Sequence, residues 1–245
     1  MNGRSIILIF FAVFALIFFS CRRNVLKGEG KIITQPLTAS DFDHIEVKVP
    51  VKAIIKVQSG IGYVVSAKGY ENIVKHIKVK VENHKLIVNS DLDETWRLDN
   101  VDELTVNISL PALNGISLSG ASDAVVHGLV TGDQLKLDIS GSSDVNMDSL
   151  NTDHFFAVIT GAADIEIGGG SVKTADYNIT GAGTVKAFKL RSLETKAEIT
   201  GAGEGEIDAE QKLDASISGA GSIRYKGHPS VNQHISGAGS LSDAN

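Results

Sequence analysis

Seven copies of one short motif dominate the C-terminal half of this 245-residue chain. The segments LSGASDA, ISGSSDV, ITGAADI, ITGAGTV, ITGAGEG, ISGAGSI and ISGAGSL set their first glycines at Gly120, Gly141, Gly161, Gly181, Gly201, Gly219 and Gly237, at spacings of 21, 20, 20, 20, 18 and 18 residues. A near-constant period of this kind marks an architecture made by stacking one supersecondary unit. Within a unit, Leu137-Asp138-Ile139-Ser140, Ala197-Glu198-Ile199-Thr200 and Ala215-Ser216-Ile217-Ser218 alternate apolar with polar residues. A period of two is a strand with its Ile inward and its acid or hydroxyl outward. The glycine turns the corner, where a residue without a Cβ accepts positive φ. A second apolar pair at i and i+2 follows, as in Val145/Met147 and Ile165/Ile167.

About twenty residues is too short for a helical repeat, and no 3.6-residue apolar pattern runs through the region. Antiparallel hairpins have no need of the same residue type in the same slot of every copy. A parallel β-solenoid does, because equivalent positions stack one rung above the next at ~4.8 Å. The sequence therefore predicts an all-β fold of roughly 20-residue rungs. Leu118, Ile139, Ile159, Ile179, Ile199, Ile217 and Ile235 form its inner column, and Ser119, Ser140, Thr160, Thr180, Thr200, Ser218 and Ser236 its outer hydroxyl ladder. Proline is absent between Pro111 and Pro229, so no ladder donor is lost. Seven such rungs make a rod of roughly 30–35 Å.

The segment 41–110 is also strand-rich but irregular, and reads as early rungs plus a cap that form one continuous domain with the repeat region 111–245. Glu82-Asn83-His84 reads as a hairpin loop. The repeat region carries 9 Lys+Arg against 17 Asp+Glu, so the acidity of the chain, net −6 overall, lies on the array. At the far end no capping element is evident, and an uncovered solenoid edge is a candidate for oligomer formation.

Residues 6–19, IILIFFAVFALIFF, follow Arg4 and precede Ser20-Cys21-Arg22-Arg23. As a helix the run spans roughly 21 Å, short of the ~30 Å hydrocarbon core, so it reads as a signal-peptide core. Phe18-Phe19-Ser20-Cys21 resembles a lipoprotein box, which implies removal of residues 1–20 and lipidation of Cys21, with 21–40 as a linker. The expectation is an exported protein held by lipid in the cell envelope, at the outer membrane. One cysteine leaves no disulfide framework. A pI of about 5.6 offers no phosphate-neutralising surface, so nucleic acid is not a partner.

The repeated [IL]-[ST]-G-[AS]-[AGS] corner, introduced by Leu104-Thr-Val-Asn-Ile-Ser-Leu-Pro111 and preceded by the lipoprotein leader, resembles the autotransporter-adhesin head known as the GIN domain. The resemblance covers roughly residues 40–230. It implies a right-handed β-helix with an adhesin-like role, and brings no catalytic residues with it.

Few constellations suggest chemistry. Asp123, Asp144 and Asp164 occupy the third position after the glycine in successive copies, one column of carboxylates about 5 Å apart. That column reads either as a Ca²⁺ site or as solvated, turn-favouring aspartates. Trp96 reads either as a ligand contact or as a ring covering the junction between the two halves. Asp138, Asp176 and Glu198 are outward acids that a polysaccharide lyase or hydrolase could use, but columns of acids also keep a rod soluble, and the cations such an enzyme needs are scarce, Lys173, Lys186 and Lys196 reading most simply as solvated; a non-enzyme is the favoured reading. The seven histidines have no zinc-site spacing. The functional expectation is a binding or scaffold protein that contacts polysaccharide or an envelope protein through a repetitive acidic, hydroxyl-rich face.

Overall fold

The computed structural model describes residues 24–93 and 96–245. The leader and Cys21 lie outside them. In the N-terminal half the elements are β1 (Asn24–Lys27), β2 (Ile32–Leu37), β3 (His44–Val47), β4 (Lys52–Val57), β5 (Val64–Tyr70), a single helical turn α1 (Glu71–Val74), β6 (Ile77–Glu82), β7 (Lys85–Ser90), β8 (Trp96–Asp99) and β9 (Thr105–Leu110). The array supplies β10 (Gly115–Gly120), β11 (Asp123–Gly141), β12 (Asp144–Gly161), β13 (Asp164–Ile167), β14 (Gly170–Gly181), β15 (Thr184–Lys186) and β16 (Leu190–Gly201). It ends with β17 (Glu204–Asp208), β18 (Lys212–Gly219), β19 (Ser222–Lys226), β20 (Ser230–Gly237) and β21 (Ser240–Asp243).

These strands coil into a β-solenoid. Its first face runs β7, β3, β10, the second part of β11, the second part of β12, β14, β16, β18 and β20, all parallel. Its second face runs β9, β4, the first part of β11, the start of β12, β13, β15, β17, β19 and β21, also parallel. A short third face joins Leu129–Gly132, Ser149–Thr152, Gly170–Val172 and Leu190–Ser192.

Both predicted columns form in register. Leu118 pairs with Ile139, then Ile159, Ile179, Ile199, Ile217 and Ile235, and the Ser/Thr ladder pairs step for step beside it. Leu118 through Ile217 are buried, and Phe155 and Tyr177 meet edge-on inside the coil at 5.8 Å. The column also continues into the N-terminal half, Leu118 pairing with Val47 and Val47 with Val88. The order is not that of the chain: the rung holding β3 and β4 is sandwiched between the rung holding β7 and β9 and the one holding β10 and β11.

The uneven repeat spacing has a local cause at each deviation. The 21-residue copy contains a register shift between Val126 and Leu129, where Gly128 adopts φ +100 and a Cβ would meet the Val57 carbonyl at 2.3 Å. The 18-residue copies lack the third-face strand: Asp208 is separated from Lys212 by a short turn held by Glu210 N donating to Ser192 O. The corner glycines from Gly141 to Gly219 have φ near +120, as at Gly181 (φ 124). There a Cβ would sit 2.3 Å from the carbonyl oxygen of Gly161, which accepts the Ala182 N–H at 2.9 Å. Glycine is required at this position by both backbone angle and rung stacking.

The end beside β7 and β9 is covered by antiparallel strands. β6 pairs with β7 through the two-residue turn Asn83-His84, both at positive φ. β5 pairs with β9, and β2 with β5. The segment expected as a linker thus supplies β2 to the cap and β1 to a parallel two-stranded arm with β8. Period-two alternation in Ile32-Ile-Thr-Gln-Pro-Leu37 is too weak to show it. Pro36 is tolerated because β2 is an edge strand.

Candidate functional site

Alternation fixes what the first face shows to solvent. In His154-Phe155-Phe156-Ala157-Val158-Ile159, Phe155, Ala157 and Ile159 point inward, and His154, Phe156 and Val158 therefore point outward. Phe156 and Val158 floor a shallow depression of about 400 Å³ bordered by Lys136, Asp176, Asn178, Lys196 and Glu198. The His154 ring stacks on Phe156 at 6.4 Å, and His154 Nδ1 lies 2.8 Å from Thr174 Oγ1. Phe156 is legible as outward from the same period-two rule that assigns the Ile column, but counting aromatics without assigning faces hides it.

Around this depression the charges are paired. Lys196 Nζ lies 2.8 Å from Glu198, and Lys212 Nζ lies 2.6 Å from Asp214, which also accepts from Asn232 Nδ2 at 3.2 Å. Hydrogen bonding to Glu198 raises the Lys196 ammonium pKa, and hydrogen bonds from Lys212 and Asn232 lower that of Asp214. Asp138 faces Lys136 at 3.6 Å. Asp138 and Glu198 share a column three rungs apart, about 14 Å, beyond the ~5–10 Å that separates the two carboxyls of a glycoside hydrolase. Asp176 faces Lys196 on the next rung. Lys173 is bound to Asp153 at 2.7 Å at the corner between the third face and the first. Along the edge of the first face runs the hydroxyl ladder, exposed from Ser140 onward, with Ser119 Oγ donating to Val47 O.

The aspartate column lies on the second face. Asp144 pairs with Asp164, and Asp144 N donates to Asp123 Oδ1 at 3.1 Å. Burial, and then repulsion from Asp123 and Asp164, raises the Asp144 pKa, while Lys186 lies near enough to oppose the shift. Lys52 stands opposite Asp123 at the column's start. Among the described residues no group of three or more His, Cys, Asp or Glu side chains is gathered as a metal site.

Trp96 lies on the β1–β8 arm, apart from the aspartate column. Leu26 and Leu98 of this arm pack against the core, and Gly28 N donates to Asp99 O at 2.9 Å. Between arm and solenoid is a groove of about 1070 Å³, with Trp96, Lys27, Lys48, Arg97 and Asp102 on its walls. Trp96 is 39% exposed and borders this groove. No described helix is long and apolar enough to cross a membrane.

Comparison with solved structures gives the same architecture. A "putative adhesin" from Bacteroides fragilis superposes with a TM-score of 0.84 at 25% identity, over 89% of this chain and 100% of that one. A "putative adhesin" from Parabacteroides merdae gives 0.71 at 26%, over 91% and 100%. A "putative lipid binding protein" from Parabacteroides distasonis, at 22% identity and a TM-score of 0.70 over 91% and 100%, shares the fold. No curated protein matches in sequence. Residues 41–229 match the family described as "Putative auto-transporter adhesin, head GIN domain", and with most of its length so matched the chain belongs to that family.

Proposed function

We propose that this protein is an envelope-anchored, adhesin-like binding module whose first face holds a polysaccharide, with Cys21 carrying the lipid that fixes it to the membrane. The observation that carries the reading is the Phe156–Val158 depression. It is an apolar floor on an otherwise polar face, ringed by amide, carboxylate and ammonium groups. Sugar rings present an apolar C–H face and a rim of hydroxyls, and a flat apolar surface with polar groups at its edge matches both. The adjacent hydroxyl ladder repeats at every rung, so a polymer lying along the stack makes many weak contacts that add through effective concentration. The groove beside Trp96 is a second concave surface at the anchored end, suited to the same class of ligand.

A glycan array of bacterial and host polysaccharides tests this reading. Binding that falls at least tenfold with Phe156→Ala supports it. Capture of one envelope protein with no glycan signal supports the alternative of a structural or signalling component. Release of oligosaccharides from an acidic polysaccharide would instead make the protein an enzyme.

A further inference from the structure

The two ends of the solenoid are treated differently. One is closed on both faces by antiparallel β6 and β5, whereas β20 has no strand stacked beyond it among the described residues. Edge strands are normally guarded by charge, proline or a bulge. β20 lacks all three: Ser230-Val-Asn-Gln-His-Ile-Ser236 contains no Lys, Arg, Asp or Glu, and Pro229 stands just before it. Its inner positions keep full-sized apolar side chains. Val231 is 38% and Ile235 37% exposed, while their partners on the previous rung, Leu213 and Ile217, are fully buried. Between them, at the inner position occupied by Leu137, Ala157, Tyr177, Ala197 and Ala215 on earlier rungs, stands Gln233.

We propose that two copies of this chain join end to end through β20, antiparallel, about a two-fold axis passing through Gln233. Opposed residues of an antiparallel pair point to the same face. Val231 then lies opposite Ile235 of the second copy, which prolongs both apolar columns across the junction, and Asn232 lies opposite His234. Gln233 meets itself. A side-chain amide is both donor and acceptor, so its two copies satisfy each other, whereas a two-residue slip sets each amide against Val or Ile. A polar residue at a symmetric core position fixes register in this way at some cost in stability. A one-residue slip turns the apolar side chains outward. Because the opposite end is capped, addition cannot continue head to tail, and the product is a closed dimer. The contact is one rung deep, smaller than the ~800 Å² per partner of a standard interface, so the dimer is concentration-dependent.

The test uses the detergent-purified full chain carrying Cys21→Ser. Gln233→Cys brings two thiols to the axis, where opposed Cα atoms lie ~4.5–5.5 Å apart, within disulfide reach. Mild oxidation is expected to convert most of this variant to a reducible dimer. Val231→Cys alone should cross-link several-fold less, and its mixture with Ile235→Cys should give a mixed dimer. In sedimentation velocity the Cys21→Ser protein should shift towards dimer as concentration rises. Gln233→Lys, which places two charges on the axis, should stay monomeric, with a melting temperature equal to that of the Cys21→Ser protein at concentrations where both are monomeric. A single monomeric species at every concentration up to ~1 mM, or equal cross-linking at 231, 232 and 233, would overturn the proposal.

Discussion

Single residues in this fold are constrained by what lies on the neighbouring rung. Gly181 is the example: its φ of 124 and the 2.3 Å that would separate an added Cβ from Gly161 O are independent reasons against any side chain. Gly181→Ala is expected to cost about 2–4 kcal/mol in urea unfolding. Gly62→Ala, where no atom lies within 4 Å of the added methyl, should be close to neutral. Asp144 gives a pH signature. Burial and its two carboxylate neighbours raise its pKa in the folded state above the unfolded value. The native state then binds more protons between those two values, so stability falls as pH rises through that interval. Asp144→Asn should therefore raise the melting temperature at pH 7, with the gain vanishing below about pH 4. Ca²⁺ offers a further check: if the column binds it, millimolar Ca²⁺ raises the melting temperature of the wild type and not of Asp144→Asn.

At the scale of strands, stability resides in columns. Ile199 is buried between Ile179 and Ile217, and Ile199→Ala is expected to cost about 2–5 kcal/mol. Ile235→Ala in the same column should cost roughly 1 kcal/mol or less in dilute solution, because that side chain is already 37% exposed. Thermal unfolding of the two variants separates a stacked column from seven independent strands. The columns are legible in the sequence because every copy places Ile or Leu and Ser/Thr in the same slots relative to its glycine. The 18-residue spacing is visible there too, but its meaning, loss of the third-face strand after Asp208, is not. Insertion of the rung of β3 and β4 between later ones is also hidden, since no repeated corner marks His44–Val57. β1 and β8 pair across seventy residues with no shared motif, so the groove beside Trp96 cannot be read from spacing. Phe156 is readable once its neighbours are assigned to faces.

For the whole molecule, a stack of parallel rungs turns a linear repeat into a flat surface whose side chains recur at a fixed interval. Part of the array's acidity is offset locally, by Lys196 on Glu198, Lys212 on Asp214, Arg191 on Glu210 and Arg224 on Glu206. Exposed pairs of this kind contribute little to stability but set which polar groups face outward. What distinguishes the first face is therefore its apolar floor at Phe156 and Val158 beside an unbroken row of hydroxyls. Hydrogen–deuterium exchange with and without a polysaccharide identified on the array tests this most directly. Slowed exchange is expected in residues 134–141, 154–161, 174–181 and 194–201, and its loss in Phe156→Ala. Protection confined to the second or third face, or unchanged by that substitution, would contradict a polysaccharide site on the first face.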